Sequence, residues 1–264
     1  MTKAGLLLVL AAGIAHAVEP LEFRVVGKIP HSRSDFTQGL EIHGSQLIQG
    51  TGGYGYSRLQ AFDLESGELL RERRLPRNLF GEGITVIGDR VIQLTWRSGR
   101  ALVYRLEDFE PIEEFSLSGQ GWGLANDGER LVYSDGSDTL RFLTPERWQL
   151  IGELRVRRNG QPVRHLNELE WTPEGILANV WRRDVILRID PVSGEVTGEI
   201  DLSGLLPRGE RRPNTDVLNG IARDPADGSL LVTGKNWPWT YRIELPDAGA
   251  PSRPGNWEVI DKNQ

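Results

Sequence analysis

The sequence contains no cysteine in its 264 residues. Disulfides are therefore excluded, and burial of apolar side chains and pairing of strands must stabilise the fold unaided. Histidine is scarce as well, with four residues in the whole chain. His31, His43 and His165 stand at no spacing typical of zinc ligands. The sequence predicts neither a metal centre nor a cofactor.

Further absences exclude three classes of function. The net charge is −6 and basic clusters are short, such as Arg71-Glu72-Arg73-Arg74, which argues against a nucleic-acid partner. The glycine-rich stretch Gly50–Tyr56 lacks the lysine and following helix of a phosphate-binding loop. No serine lies in the sequence context of a nucleophile elbow, which disfavours a Ser-His-Asp hydrolase.

One long apolar run is present, and it lies at the N-terminus. Lys3 gives a positive start, Gly5–Ile14 is apolar, and Ala15-His16-Ala17 fits the small-x-small cleavage pattern. The run is too short for a stable transmembrane anchor, although an uncleaved anchor remains the alternative. We expect a signal peptide at residues 1–17, a single domain at 18–264, a periplasmic or secreted location of the bacterial kind, and no membrane association after cleavage.

The rest of the sequence is typical of a turn-rich β protein, with 31 glycines, 15 prolines and eight tryptophans. A short phrase returns five times, its copies starting 44, 40, 45 and 52 residues apart. The copies are Gln38-Gly39-Leu40-Glu41, Glu82-Gly83-Ile84-Thr85, Trp122-Gly123-Leu124-Ala125, Asn167-Glu168-Leu169-Glu170 and Asn219-Gly220-Ile221-Ala222. A period of about 40–50 residues predicts an all-β propeller, and five copies predict five blades.

The segments outside the repeats also carry predictions. Leu21 to Lys28 alternates apolar and polar residues, and we expect this strand to close the ring within the last blade; a loose arm is the alternative. Leu205 to Thr215 is predicted to be a surface insertion, and Trp257–Ile260 a possible last edge strand. A closed propeller leaves no long open sheet edge, so we expect a monomer.

Two positions in each repeat should meet at one mouth of the central channel. The first precedes the repeated Gly or Glu, and the second ends the second strand of each blade. The residues at the first position are Gln38, Glu82, Trp122, Asn167 and Asn219. Those at the second position are Thr51, Trp96, Asp135, Trp181 and Lys235. Aromatic walls with a few polar groups are typical of a pocket for a small molecule or a peptide end. Burial beside tryptophans should raise the pKa of Glu82 toward a value useful for proton transfer.

Structural roles are the alternative for each of these residues. The carboxylate of Glu82 could hold backbone amides in the channel, the tryptophans could pack between blades, and the two asparagines could end turns. Lys235 could be a surface charge. Asp135 and Asp138 could join a calcium site, although a turn is the favoured interpretation of this pair.

Eight longer motifs resemble those of one enzyme family. They are Phe36-Thr37-Gln38-Gly39-Leu40, Thr51-Gly52-Gly53-Tyr54-Gly55, Phe80-Gly81-Glu82-Gly83-Ile84-Thr85, Gly121-Trp122-Gly123-Leu124, Leu166-Asn167-Glu168-Leu169-Glu170-Trp171, Ala178-Asn179-Val180-Trp181, Leu218-Asn219-Gly220-Ile221-Ala222 and Thr233-Gly234-Lys235-Asn236-Trp237. The set resembles the plant and bacterial type of glutaminyl-peptide cyclotransferase. The resemblance implies a five-bladed propeller that cyclises the N-terminal glutamine of peptides or proteins to pyroglutamate, releases ammonia and needs no zinc.

The resemblance also implies roles for site residues. Glu82 is expected to be the catalytic proton shuttle, with Lys235 or Asn167 as the donor to the developing oxyanion. The implied substrate-binding residues are Phe36, Gln38, Phe80, Trp96, Trp122, Asn167, Trp181, Asn219 and Lys235. Two other functions remain open on the sequence alone. One is a periplasmic propeller that only binds a partner, and the other is a metal-dependent lactonase-type propeller, which usually has six blades.

Overall fold

A computed structural model describes residues 18–246, which fold into five sheets arranged as the blades of a propeller and one additional two-stranded sheet. The predicted fold class and the number of blades are confirmed. The expected signal peptide at 1–17 and the possible edge strand at 257–260 lie outside the described residues. Within 18–246, no helix has the length and apolar character needed to span a membrane.

The elements follow one another in a regular order. They are β1 (Glu19–Pro20), β2 (Arg24–Pro30), β3 (Thr37–His43), β4 (Gln46–Thr51), β5 (Arg58–Asp63), β6 (Leu69–Arg74), β7 (Gly81–Ile87), β8 (Arg90–Thr95), β9 (Arg100–Arg105), β10 (Pro111–Ser116), β11 (Leu124–Asn126), β12 (Leu131–Tyr133), β13 (Thr139–Leu143), β14 (Leu150–Arg155), β15 (Arg157–Arg158), β16 (Gln161–Pro162), β17 (Leu166–Thr172), β18 (Gly175–Val180), β19 (Val185–Ile189), β20 (Val196–Asp201), a 3-10 helix (Arg208–Glu210), β21 (Leu218–Arg223), β22 (Leu230–Gly234) and β23 (Trp239–Glu244).

Blades one to four are the antiparallel sheets β3–β6, β7–β10, β11–β14 and β17–β20, and blade five contains β21–β23 and β2. The N-terminal strand β2 pairs antiparallel with β23 and closes the ring, as predicted, although it begins at Arg24 rather than Leu21. The short strand β1 adds to blade four, parallel to β20, which the sequence pattern did not predict.

Each interface between neighbouring blades contains its own apolar core, so the described chain has five such cores. Strand β8 shows why the strand sequences are apolar at successive positions. Val91 packs toward blade one, whereas Ile92 and Leu94 pack toward blade three. Because both faces of a blade are buried, the simple alternation of apolar and polar residues is lost.

The repeated glycine permits the innermost strands to approach each other closely. A Cβ on Gly83 would lie 2.6 Å from the carbonyl oxygen of Trp122, and Gly39 and Gly123 face the next inner strand in the same way. In blade four the glycine is replaced by Glu168, which is fully buried. Its carboxyl group accepts hydrogen bonds from the amides of Leu40 (3.2 Å) and Ile221 (2.9 Å). Glu168 therefore joins blade four to blades one and five through the centre of the ring.

The insertion between blades four and five contains the 3-10 helix and packs against blade five. The carboxylate of Glu210 accepts a hydrogen bond from the indole of Trp239, and its carbonyl accepts one from Arg33 (2.9 Å). Asn214 donates to the carbonyl of Arg33 (3.2 Å). The insertion is thus bonded to the loop that precedes β3 and carries Phe36.

Candidate active site

One end of the propeller gathers the two repeated positions, because the innermost strand starts where the second strand ends. In four blades an equivalent backbone hydrogen bond forms there, and its donor is the amide of the residue that follows the second strand. The pairs are Gly52 to Phe36 (2.8 Å), Trp96 to Phe80 (3.0 Å), Trp181 to His165 (2.9 Å) and Lys235 to Val217 (2.9 Å). Blade three differs, since the amide of Trp122 donates to Ser134 (3.0 Å). This register fixes which side chains reach the mouth.

Two residues expected at the mouth are bonded to partners within their own blades. The hydroxyl of Thr51 accepts a hydrogen bond from the amide of Arg58 (3.0 Å). The equivalent position in the register is Gly52, where a Cβ would overlap the ring of Phe80. Asp135 forms an ion pair with Arg141 (2.6 Å) and accepts a hydrogen bond from the amide of Ser137 (2.9 Å). Asp135 is therefore part of a turn, the interpretation favoured over a calcium ligand.

Five polar side chains form the buried floor of the mouth. Each is at most 5% exposed, and they are Gln38, Glu82, Asn167, Asn219 and Lys235. The predicted aromatic residues are all partly exposed, and they are Phe36, Phe80, Trp96, Trp122 and Trp181. The arrangement is a polar floor below an aromatic wall, with the ionisable groups away from bulk water.

Glu82 and Lys235 are the ionisable groups of this floor. Burial raises the pKa of Glu82 well above its usual value, and the positive charge of Lys235 opposes that rise in part. Burial lowers the pKa of Lys235, while the charges of Glu82 and Asp216 act in the opposite direction. The ammonium group of Lys235 lies 4.8 Å from the centre of the Phe36 ring. Glu82 can therefore bind and release a proton at a higher pH than an exposed glutamate.

The amides of the floor retain unused hydrogen-bonding capacity. Asn219 donates to the carbonyl of Thr37 (3.0 Å) and to the side-chain oxygen of Gln38 (3.4 Å). Its own buried Oδ1 atom has no partner within residues 18–246. The backbone carbonyl of Asn167 accepts a hydrogen bond from Ser134 Oγ (2.7 Å), which fixes its strand. An unsatisfied buried acceptor is costly, so a bound N–H group would be stabilised at Asn219.

The aromatic wall consists of two groups of rings. Phe80 is central to the first, with ring centres at 6.1 Å from Phe36, 5.5 Å from Trp96 and 5.4 Å from Tyr54. In the second group, Trp122 and Trp181 are 5.8 Å apart and nearly perpendicular. Such contacts hold the rings in place and leave an apolar surface for a flat ligand.

Two residues of the wall were not predicted from the sequence. Tyr54 contacts Phe80 from the glycine-rich loop after β4, and the ring of His165 lies 5.8 Å from that of Trp181. His165 stands two positions before Asn167, as Phe36 and Phe80 stand two positions before Gln38 and Glu82. Extending the repeat by two residues toward the N-terminus would have identified it.

A second set of carboxyl groups lies on the inner strands, away from the floor. Burial raises the pKa of Glu168 and Glu170 well above the usual value and that of Glu41 to about 7. The negative charge of Glu41 raises the pKa of the other two further. Across residues 18–246, no three acidic, histidine or cysteine side chains are grouped so that they could hold a metal ion.

Three comparisons with known proteins agree on one family. The profile of the family described as glutamine cyclotransferase matches residues 3–245. The chain is 40% identical over 250 residues to the glutaminyl-peptide cyclotransferase of Arabidopsis thaliana, covering 92% of this chain and 76% of the plant protein. The crystal structure of Myxococcus xanthus glutaminyl cyclase superposes with a TM-score of 0.79 at 35% identity, covering 92% of this chain and all of that one.

Proposed function

Because the chain belongs to the glutamine cyclotransferase family, we propose that it cyclises the N-terminal glutamine of peptides and proteins to pyroglutamate and releases ammonia. The observation that carries this proposal is Glu82, a buried carboxyl group of raised pKa on the floor of an aromatic-walled pocket. A propeller that only binds a partner has no evident need for such a group, since burying an ionisable side chain is costly.

The reaction needs one bond formed, one bond broken and one proton moved. The neutral α-amine attacks the side-chain amide carbon of the same glutamine, and a tetrahedral intermediate forms. The carboxylate of Glu82 accepts a proton from the attacking nitrogen and returns it to the departing nitrogen. The carbon–nitrogen bond to the former amide then breaks and ammonia leaves. Because the nucleophile is tethered, correct positioning supplies much of the acceleration.

The other floor residues hold the substrate in the reactive geometry. Lys235 or Asn167 donates a hydrogen bond to the oxygen that becomes negative in the intermediate. Asn219 Oδ1 accepts a hydrogen bond from the substrate, because it has no other partner in the described part of the chain. Gln38, which is held by Asn219, binds the peptide backbone.

The aromatic wall packs around the flat glutamine side chain and excludes water. Phe80 and Trp122 contribute to the two groups of rings that enclose it. Excluding water matters because hydrolysis of the amide to glutamate competes with cyclisation.

The test is ammonia release from a short peptide that begins with glutamine, measured with EDTA present. We expect release, together with a product that lacks a free α-amine. A folded protein without this activity would favour a binding scaffold. Activity that EDTA abolishes would favour a metal-dependent propeller and contradict the metal-free mechanism proposed here.

We also propose that the protein is exported and acts as a monomer. The support for export is the pattern of Lys3, Gly5–Ile14 and Ala15-His16-Ala17. The support for a monomer is the closed ring, in which β2 completes the fifth blade by pairing with β23 and only short outer strands remain as sheet edges. N-terminal sequencing of the secreted or periplasmic protein should begin at Val18, and light scattering should give the mass of one chain.

A further inference from the structure

An open cleft of about 600 Å³ adjoins the aromatic wall at Trp181. It lies beside the β15–β16 hairpin and is lined by Arg158, Arg164, His165, Trp181, Arg182 and Arg183, among others. No aspartate or glutamate of the described chain lines it. We refer to this surface as the arginine cleft. Such a concentration of one charge is unusual in a protein whose net charge is −6.

Two of these arginines have no carboxylate partner within residues 18–246. Arg158 is paired with Glu199. Hydrogen bonds from Ser203 lower the pKa of Asp201, and the charge of the nearby Arg183 lowers it further. No ion pair joins Arg164 or Arg182 to a described acidic residue. Both are exposed, so their positive charges are available to a ligand that enters the cleft.

The backbone at the cleft has an unusual conformation. His165 and Arg182 both have φ at 65°, a region that residues other than glycine rarely adopt. The amide of Trp181 donates to the carbonyl of His165 (2.9 Å), which holds the two segments together. The guanidinium of Arg182 lies 4.4 Å from the centre of the Trp181 ring. Conformations of this kind concentrate at functional sites.

The arginine cleft borders the pocket proposed for the N-terminal glutamine at Trp181. Trp181 contacts Trp122 of the pocket wall at 5.8 Å and His165 of the cleft at 5.8 Å. An extended peptide advances about 3.3 Å per residue. A chain that leaves the pocket past Trp181 therefore reaches the cleft within about two to four residues of the glutamine.

We propose that the arginine cleft binds acidic side chains of the substrate that lie shortly after its N-terminal glutamine. The protein would thus prefer glutamine peptides with aspartate or glutamate at these positions. This proposal rests on the cyclisation proposed above. Exposed charge pairs contribute modestly and are screened by salt, so the preference should be largest at low ionic strength and should act through KM.

The test compares three amidated peptides of sequence Gln-Ala-Glu-Glu, Gln-Ala-Lys-Lys and Gln-Ala-Ala-Ala. At low salt we expect kcat/KM for the acidic peptide to exceed that for the lysine peptide by about 3- to 10-fold. The double variant Arg164→Gln/Arg182→Asn should bring this ratio close to one. Asparagine is chosen because it tolerates positive φ. The matched control is Arg147→Gln in the β13–β14 turn, which does not line the cleft.

The alanine peptide separates the two proposals. If the wild type does not cyclise it, the proposed function fails. If the wild type cyclises it but shows no acidic preference, or the double variant keeps the preference, the arginine cleft proposal is overturned. An equal loss for all three peptides would also overturn it, since the arginines would then act by packing against Trp181. Binding of the acidic peptide in its pyroglutamyl form, which needs no turnover, should weaken in the double variant alone.

Discussion

Glu82 and Lys235 are buried close enough together that the charge of each counteracts the pKa shift that burial causes in the other. Burial raises the pKa of Glu82 and lowers that of Lys235, so it favours the neutral form of both groups. The charge of each partner acts in the reverse direction. The proton occupancy of Glu82 is therefore set by the balance between desolvation and the lysine, and this balance can be altered by mutation.

Replacement of Lys235 by methionine should move the pH dependence of the reaction. The positive charge of Lys235 lowers the pKa of Glu82, so its removal raises that pKa further. The acid limb of kcat/KM should then shift to higher pH. Lys235→Arg keeps the charge and should keep the limb near its wild-type position. A limb that stays in place in the methionine variant would show that Lys235 does not tune Glu82.

Replacement of Gly52 by alanine should damage the pocket without unfolding the protein. A Cβ at this position would overlap the ring of Phe80 and approach the side chain of Gln38 at 3.1 Å. Displacing these groups should lower kcat/KM by about 10-fold or more. Gly209→Ala is the matched control, because nothing lies within 4 Å of a Cβ there. Equal activity of the two variants would argue against tight packing at Gly52.

Replacement of Glu168 by alanine should destabilise the whole ring. The variant leaves the buried amides of Leu40 and Ile221 without an acceptor. At about 1–3 kcal/mol for each unsatisfied group, the free energy of unfolding should fall by about 2–6 kcal/mol. Glu168→Gln retains one acceptor and should lose less. Denaturant titration measures both variants, and an alanine variant as stable as the wild type would contradict the structural role of Glu168.

Glu41 should make the protein less stable as pH rises. Its folded-state pKa is about 7, above the ordinary value of 4.5, because burial penalises the charged form. The folded state therefore binds this proton more tightly than the unfolded chain, and stability falls between pH 4.5 and about 7. Glu41→Gln removes this contribution, so its melting temperature should decline less from pH 5 to pH 8. Parallel declines in the two proteins would contradict the assignment.

The five-bladed architecture could be predicted from the sequence, because every blade must satisfy similar packing requirements and so carries a similar sequence phrase. The repeated glycine marks a close approach of inner strands in blades one to three, as at Gly83, whereas blade four has Glu168 at this position. The requirement is therefore visible in most copies, although not in all. Strand β1 was not predicted, since two residues pairing parallel to β20 carry no periodic signal.

The residues that the structure brings together at the candidate site were predicted to within one position along the chain. Lys235 lies one residue after the end of its strand. The residue of blade one that makes the same backbone hydrogen bond is Gly52, not Thr51. Because Gly52 has no side chain, the sequence did not indicate that it packs against Phe80. Asp135 is held by Arg141 and by its own turn. Blade three departs from the common hydrogen-bond register at Trp122, and nothing in the sequence marks that departure.

The most direct test of the account is the activity of Glu82→Gln on a peptide that begins with glutamine. Glutamine matches the neutral carboxyl in shape but cannot carry the proton between the two nitrogens. Ammonia release should fall by about 100-fold or more while the melting temperature is maintained. Glu41→Gln, which alters another carboxyl group of raised pKa, should stay within about 2-fold of the wild type. A Glu82→Gln variant that retains wild-type activity would contradict the proton transfer assigned to Glu82.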